Sequence, residues 1–167
     1  MTLPYLIAEL NQMSQPDFVA ALGAVFEDTP AIAQKVWEQR PFTDQDDLHQ
    51  KMVMIVNGLS QAEQLSLIRS HPDLGSKAKM ADASVEEQLE VGLDRLTSDE
   101  CDRFHQLNQA YKSQFGFPFI IAVKNHTKAS ILQAFEQRLK NAVDTERQQA
   151  LSEIIQIAYF RLHSLIN

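Results

Sequence analysis

Of the 167 residues only one is cysteine, and several common cofactor signatures are missing altogether. A single thiol, Cys101, cannot close an internal disulfide and fits a reducing compartment. There is no G-x-S-x-G elbow, no phosphate-binding loop and no G-x-G-x-x-G turn. His49, His105, His126 and His163 fall into no HExxH, HxH or mixed Cys/His spacing, so neither a metal nor a nucleotide cofactor is expected. Basic charge is also scarce, with 15 Lys and Arg against 22 Asp and Glu, a net charge of -7. Nucleic acid and anionic membranes both require clustered cations, so neither is an expected partner. No apolar run approaches the ~20 residues that span a bilayer. The N-terminus shows no basic region followed by an apolar stretch and a small-residue cleavage site, and Ser164 to Asn167 do not end in a peroxisomal tripeptide. A cytoplasmic location is expected.

What is present suits an ordinary folded domain. Hydrophobic residues make up 44% and charged residues 22%, while five Gly and six Pro are too few for a fibrous or low-complexity chain. A chain of this length buries roughly two-thirds of its unfolded surface. One domain over residues 1–167 is expected.

The periodicity is helical almost throughout. Helices are expected near Pro4 to Asn11 and Pro16 to Phe26, the second capped by Ser14, with Phe18, Leu22 and Phe26 four residues apart. Thr29-Pro30 starts a third, and Arg40-Pro41 ends it because a residue before proline is pushed out of the helical region. Thr43 is expected to cap a helix with Asp44, Asp46 and Asp47 at its positive end, stopping at Gly58. Ser60 with Glu63 and Ser84 with Glu87 each match a capping box, and Thr97 or Ser98 opens a longer helix through Phe104, Leu107, Tyr111 and Phe115. Gly116 and Pro118 break the pattern, leaving residues 115–123 as a buried, extended or irregular segment. Thr127 caps a helix through Leu139, and a last one begins near Thr145. The fold class is all-α, a multi-helix bundle of about eight helices.

Polar residues concentrate between His71 and Gln88. His71 follows a helix and precedes Pro72, which stiffens the backbone under the imidazole. That suits a positioned acid or base, and equally a histidine capping the last carbonyls of its helix. Glu87 reads either as the capping partner of Ser84 or, with Gln88, as a ligand-facing pair at a helix N-terminus. Arg161 shares a helix face with Ile154, Ile157, Ala158 and Leu165 and so points inward. A buried arginine needs a carboxylate, a carbonyl or an anionic ligand.

The HPDLG stretch from His71, Ser84 with Glu87 and Gln88, FGFPF-I-I from Phe115 to Ile121, and RLHS from Arg161 occur in this order. Together they resemble the OHCU decarboxylase family, whose members convert 2-oxo-4-hydroxy-4-carboxy-5-ureidoimidazoline to S-allantoin during urate degradation. The likeness runs from Arg40-Pro41-Phe42 to the final helix and departs in a short connection between Gly75 and Ser84. It implies an all-α homodimer with no metal or organic cofactor. It also implies catalytic roles for His71, Glu87 and Arg161. Substrate contacts are implied for Pro72, Ser84, Gln88, Phe117, Phe119, Ile120, Ile121, Ala122 and Val123. Cofactor independence is chemically reasonable, because the substrate's own C=N bond accepts the electrons released with CO2. Two other classes remain open on the residues alone: a non-enzymatic helical interaction module and a metal-dependent hydrolase of a ureido ring.

Overall fold

The computed structural model describes residues 3–75 and 82–167, except for the side chains of 82–84. Nine α-helices occur among the described residues: α1 (Ile7–Gln12), α2 (Gln15–Leu22), α3 (Pro30–Trp37), α4 (Gln45–Gly58), α5 (Gln61–Arg69), α6 (Asp82–Glu90), α7 (Ser98–Phe115), α8 (Lys128–Arg138) and α9 (Val143–Leu165). Two 3₁₀ turns, Gly23–Phe26 and Val123–Asn125, complete the set. The fold is all-α, and no helix among the described residues is long and apolar enough to cross a membrane.

Local chemistry explains most boundaries. Ser14 Oγ accepts from the Asp17 N–H, and Thr97 exchanges hydrogen bonds with Glu100 in a full capping box. The Ser60 and Glu63 pair does the same for α5. At α4 the cap is Asp44, one residue later than expected: its carboxylate accepts from the Asp47 N–H, while Thr43 donates its own N–H to the Asp47 carboxylate. α6 begins at Asp82, so Ser84 lies inside the helix and not at its N-cap. Gly116 ends α7 in the left-handed region, at φ +80°.

The chain forms two compact units. The first comprises residues 1–67 and 155–167, the second residues 68–154. In the first unit α2, α3 and α4 pack in succession around Phe18, Leu22, Ile32, Val36, Leu48 and Met52. Its Arg40-Pro41-Phe42 stretch is held by structure alone. Arg40 stacks on Trp37 at 3.9 Å and donates to the Asn11 and Met13 carbonyls, and the Asn11 amide grips both backbone groups of Phe42. The chain ends meet here as well, with the Tyr5 N–H on the Leu165 carbonyl at 2.7 Å and the Asn167 N–H on the Tyr5 carbonyl at 2.9 Å.

The second unit is built on an aromatic cluster. Tyr111 of α7 lies edge-on to Phe117, Phe119 and Phe135, and Phe119 stacks on Phe135 with ring centres 3.7 Å apart. Aromatic rings bury large areas and favour such offset and edge contacts. They pull residues 117–123 into the core as irregular chain, all nearly inaccessible to solvent.

Candidate active site

His71 is positioned by the end of α5, where its N–H bonds the Ile68 carbonyl at 3.2 Å. The loop after it is fastened to two α7 residues one turn apart. Asn108 Nδ2 donates to the Leu74 carbonyl at 3.0 Å, and Lys112 Nζ pairs with Asp73 Oδ2 at 3.1 Å. Gly75 follows at φ +70°, where a Cβ would come within 3.1 Å of Leu96. Its N–H donates to Gln88 Oε1 at 3.1 Å, which ties the loop to α6. α6 in turn packs beside the turn Val123–Asn125.

His71 is buried, at 7% exposure, yet it lines an open cleft of about 340 Å³ with Arg69, Asp73, Lys112, Gly116, Phe117 and Pro118. Arg69 Nε donates to the Gly116 carbonyl at 3.2 Å, joining the rims of the cleft. Two cations and one carboxylate therefore surround the imidazole's pocket. Such a site favours an anion whose polar groups can exchange with the Lys112–Asp73 pair.

Arg138 anchors the segment on the far side of Phe117. Its Nη1 donates to the Ile120 carbonyl at 2.6 Å, its Nε to Glu146 at 2.8 Å, and its guanidinium lies 4.3 Å from the Phe119 ring centre. Glu146 has no exposed surface and also accepts from Tyr111 and Asn141. Burial first, and the Glu146 hydrogen bond second, push the Tyr111 phenol well above its ordinary range, so it stays a donor. Burial likewise raises the Glu153 carboxyl, against the pull of Arg138, the Ala122 N–H and His126.

Of the residues expected in the site, His71, Pro72, Glu87, Gln88, Phe117 and Phe119 to Val123 all belong to the second unit. His71 and Phe117 share the cleft, and Gln88 joins the histidine's own loop through Gly75. The Ser84 side chain lies outside the described residues. Arg161 belongs to the first unit, where its Nη2 meets Glu27 Oε1 at 3.1 Å and its Nη1 reaches the Ala24 and Val25 carbonyls at 3.2 Å. The inward orientation expected from periodicity is found, with carbonyls and a carboxylate as its partners. Arg69, Asp73 and Lys112 were not among the sequence candidates. The signal for Lys112 was its place four residues after Asn108 on the α7 face that meets the HPDLG loop. Among the described residues no three His, Cys, Asp or Glu side chains gather as metal ligands would.

A family model described as OHCU decarboxylase matches residues 11–163. The chain belongs to the OHCU decarboxylase family. A 2-oxo-4-hydroxy-4-carboxy-5-ureidoimidazoline decarboxylase of Halalkalicoccus jeotgali is 43% identical over 159 residues, covering 95% of this chain and 90% of that protein. The uric acid degradation bifunctional protein of Bacillus subtilis is 45% identical over 97% of this chain, which spans only 33% of that longer protein. A crystal structure of (S)-allantoin synthase superimposes with a TM-score of 0.79 at 30% identity, covering 97% of this chain and 54% of the other. An OHCU decarboxylase crystallised in the presence of (S)-allantoin shares the fold, with a TM-score of 0.72 at 21% identity over 92% of this chain and 98% of that one.

Proposed function

We propose that this protein removes CO2 from 2-oxo-4-hydroxy-4-carboxy-5-ureidoimidazoline and yields (S)-allantoin, without a cofactor. The observation that carries this reading is 43% identity to a named decarboxylase across nine-tenths of both chains. In the reaction the bond from ring carbon to carboxylate breaks, and its electron pair forms a carbon–carbon double bond. The pair of the adjacent C=N bond moves to nitrogen, which takes a proton. The resulting enol then loses its hydroxyl proton to become a carbonyl, and the carbon bearing the ureido group takes a proton on one face.

The substrate supplies its own electron sink, so the protein's tasks are orientation, charge stabilisation and placement of one proton. His71 is assigned the proton at the hydroxyl or the reacting carbon, because imidazole is the side chain best suited to proton transfer near neutral pH and His71 forms part of the cleft's lining. Glu87 holds the ring or the imidazole, and Gln88 the ureido group. Arg69 and Lys112 draw the carboxylate into the cleft. Backbone groups of Phe119 to Val123 meet substrate oxygens, with Pro72, Ser84 and Phe117 lining the site. Arg161 enters as the resemblance assigns it, as a further cation for substrate oxygens. A cytoplasmic homodimer is part of the same proposal, and sedimentation velocity at micromolar concentration tests the dimer.

The experiment is to generate the substrate from urate with urate oxidase and hydroxyisourate hydrolase, add this protein, and follow allantoin by circular dichroism. Allantoin with the S enantiomer in excess, formed faster than by the spontaneous reaction, is expected. A racemic product formed at the spontaneous rate would overturn the proposal.

A further inference from the structure

We propose that Arg138 is a positioning residue for this reaction, aiming the Ile120–Ile121 peptide so that the Ile121 N–H is presented to the substrate. The inference rests on the reading that the Phe119 to Val123 backbone meets the ligand. A trans peptide is planar, so fixing its C=O fixes the direction of its N–H, on the opposite side. Only the Arg40-Pro41 bond is cis among the described residues, so the rule applies at Ile120–Ile121. Arg138 Nη1 holds the Ile120 carbonyl at 2.6 Å, which turns the Ile121 N–H away from the guanidinium.

The guanidinium is itself immobilised. Glu146 takes its Nε at 2.8 Å, Tyr111 and Asn141 satisfy the remaining demands of that carboxylate at 2.6 and 2.8 Å, and the Phe119 ring covers one face. Arg138 is 8% exposed and Glu146 and Tyr111 not at all. Two successive residues of the segment, Phe119 and Ile120, are therefore gripped by one rigid, charged side chain. A cation on the carbonyl also polarises the peptide, making its N–H a stronger donor in a water-poor setting. A buried ion pair adds little net stability compared with apolar packing of the same shape. What Arg138 contributes here is direction: five donors in a fixed plane, one of them on a backbone carbonyl. Further along, the Ala122 and Val123 carbonyls are engaged by the Asn125 and His126 N–H groups, so the segment is held beyond Ile121 as well.

The test compares wild type with Arg138→Lys and with Leu107→Ala, a cavity variant in the same unit that leaves Arg138 untouched. Melting temperature, KM, kcat per folded molecule and enantiomeric excess of the allantoin are measured for each. Lysine keeps the charge and loses the fork. Arg138→Lys is expected to raise KM about tenfold, the scale of one lost hydrogen bond to a polarised donor, and to lower the enantiomeric excess. Leu107→Ala is expected to lose as much melting temperature with KM and enantiomeric excess unchanged. Kinetics for Arg138→Lys that match those of Leu107→Ala would overturn the proposal. If Arg138→Lys does not fold, Glu146→Gln loosens the guanidinium while keeping an acceptor, and an unchanged KM and enantiomeric excess there overturns it equally. An inactive wild type sinks the parent reading and this one together, whereas an active wild type with indifferent variants sinks this one alone.

Discussion

Arg161 and Glu27 form an ion pair at 3.1 Å in which both side chains are almost wholly buried, at 4% and 3% exposure. The same guanidinium closes off the carbonyls of Ala24 and Val25 at the end of the turn Gly23–Phe26. Glu27 sits at φ +54°, a conformation costly for a residue with a Cβ, and its carboxylate's grip on Arg161 helps hold it there. Glu27→Ala leaves a buried cation with its carboxylate removed, so a loss of about 3–5 kcal/mol in denaturant-measured stability is expected. Arg161→Ala should lose a similar amount. Any activity deficit of Arg161→Ala beyond that of Glu27→Ala, per folded molecule, then measures what the arginine does for the substrate.

His71→Ala should reduce kcat/KM by about 10²-fold or more, the usual contribution of a positioned acid or base, and return the product to a racemate. Far-ultraviolet circular dichroism should stay unchanged. EDTA should leave wild-type turnover as it was, and loss of activity rescued by an added divalent metal would revive the metal-dependent hydrolase.

Neutralising the cleft should act on binding more than on chemistry. Arg69→Ala and Lys112→Met are each expected to raise KM about threefold to tenfold, since each removes one partly exposed cation facing the substrate's carboxylate. Raising the salt concentration should shrink the difference from wild type, because exposed charges are screened.

Glu153 gives a pH-dependent prediction. Burial, the largest influence, raises its carboxyl above the ordinary value of 4.5, so the folded chain binds this proton more tightly than the unfolded one. Stability from this group is present below pH 4.5 and is lost as pH rises through the raised value. Glu153→Gln should therefore melt higher than wild type at pH 7, and the two should converge below about pH 4.5. Melting curves across pH 3.5–8, roughly the span that brackets carboxyl titration, check the sign.

Helix caps were readable because they depend on residues three apart. Ser14, Ser60, Thr97 and Thr127 all cap as their side chains suggest, and Thr97→Ala should cost about 1 kcal/mol by thermal melting. The same local pattern misplaced Ser84, because S-x-x-E also occurs inside a helix that starts two residues earlier. The inward aim of Arg161 followed from a 3.6-residue period. Its partner Glu27 did not, since the two stand 134 residues apart in sequence. Arg69 and Lys112 belong to no short-range motif. Only the fold of the second unit, which sets Arg69 on the Gly116 carbonyl, makes them walls of one cleft. Arg138 falls inside the helix expected from Thr127 through Leu139, and its grip on Ile120 arises from packing that no short-range pattern encodes.

The clasp between Tyr5 and the Leu165 to Asn167 stretch makes the order in which the chain is threaded nearly immaterial to its contacts. A circular permutant that bridges those two segments with a short flexible linker and opens at an exposed turn keeps the buried pairs described above. The same adjacency lets a module be inserted beside the clasp, before Tyr5 or after Ile166, with its two ends close together.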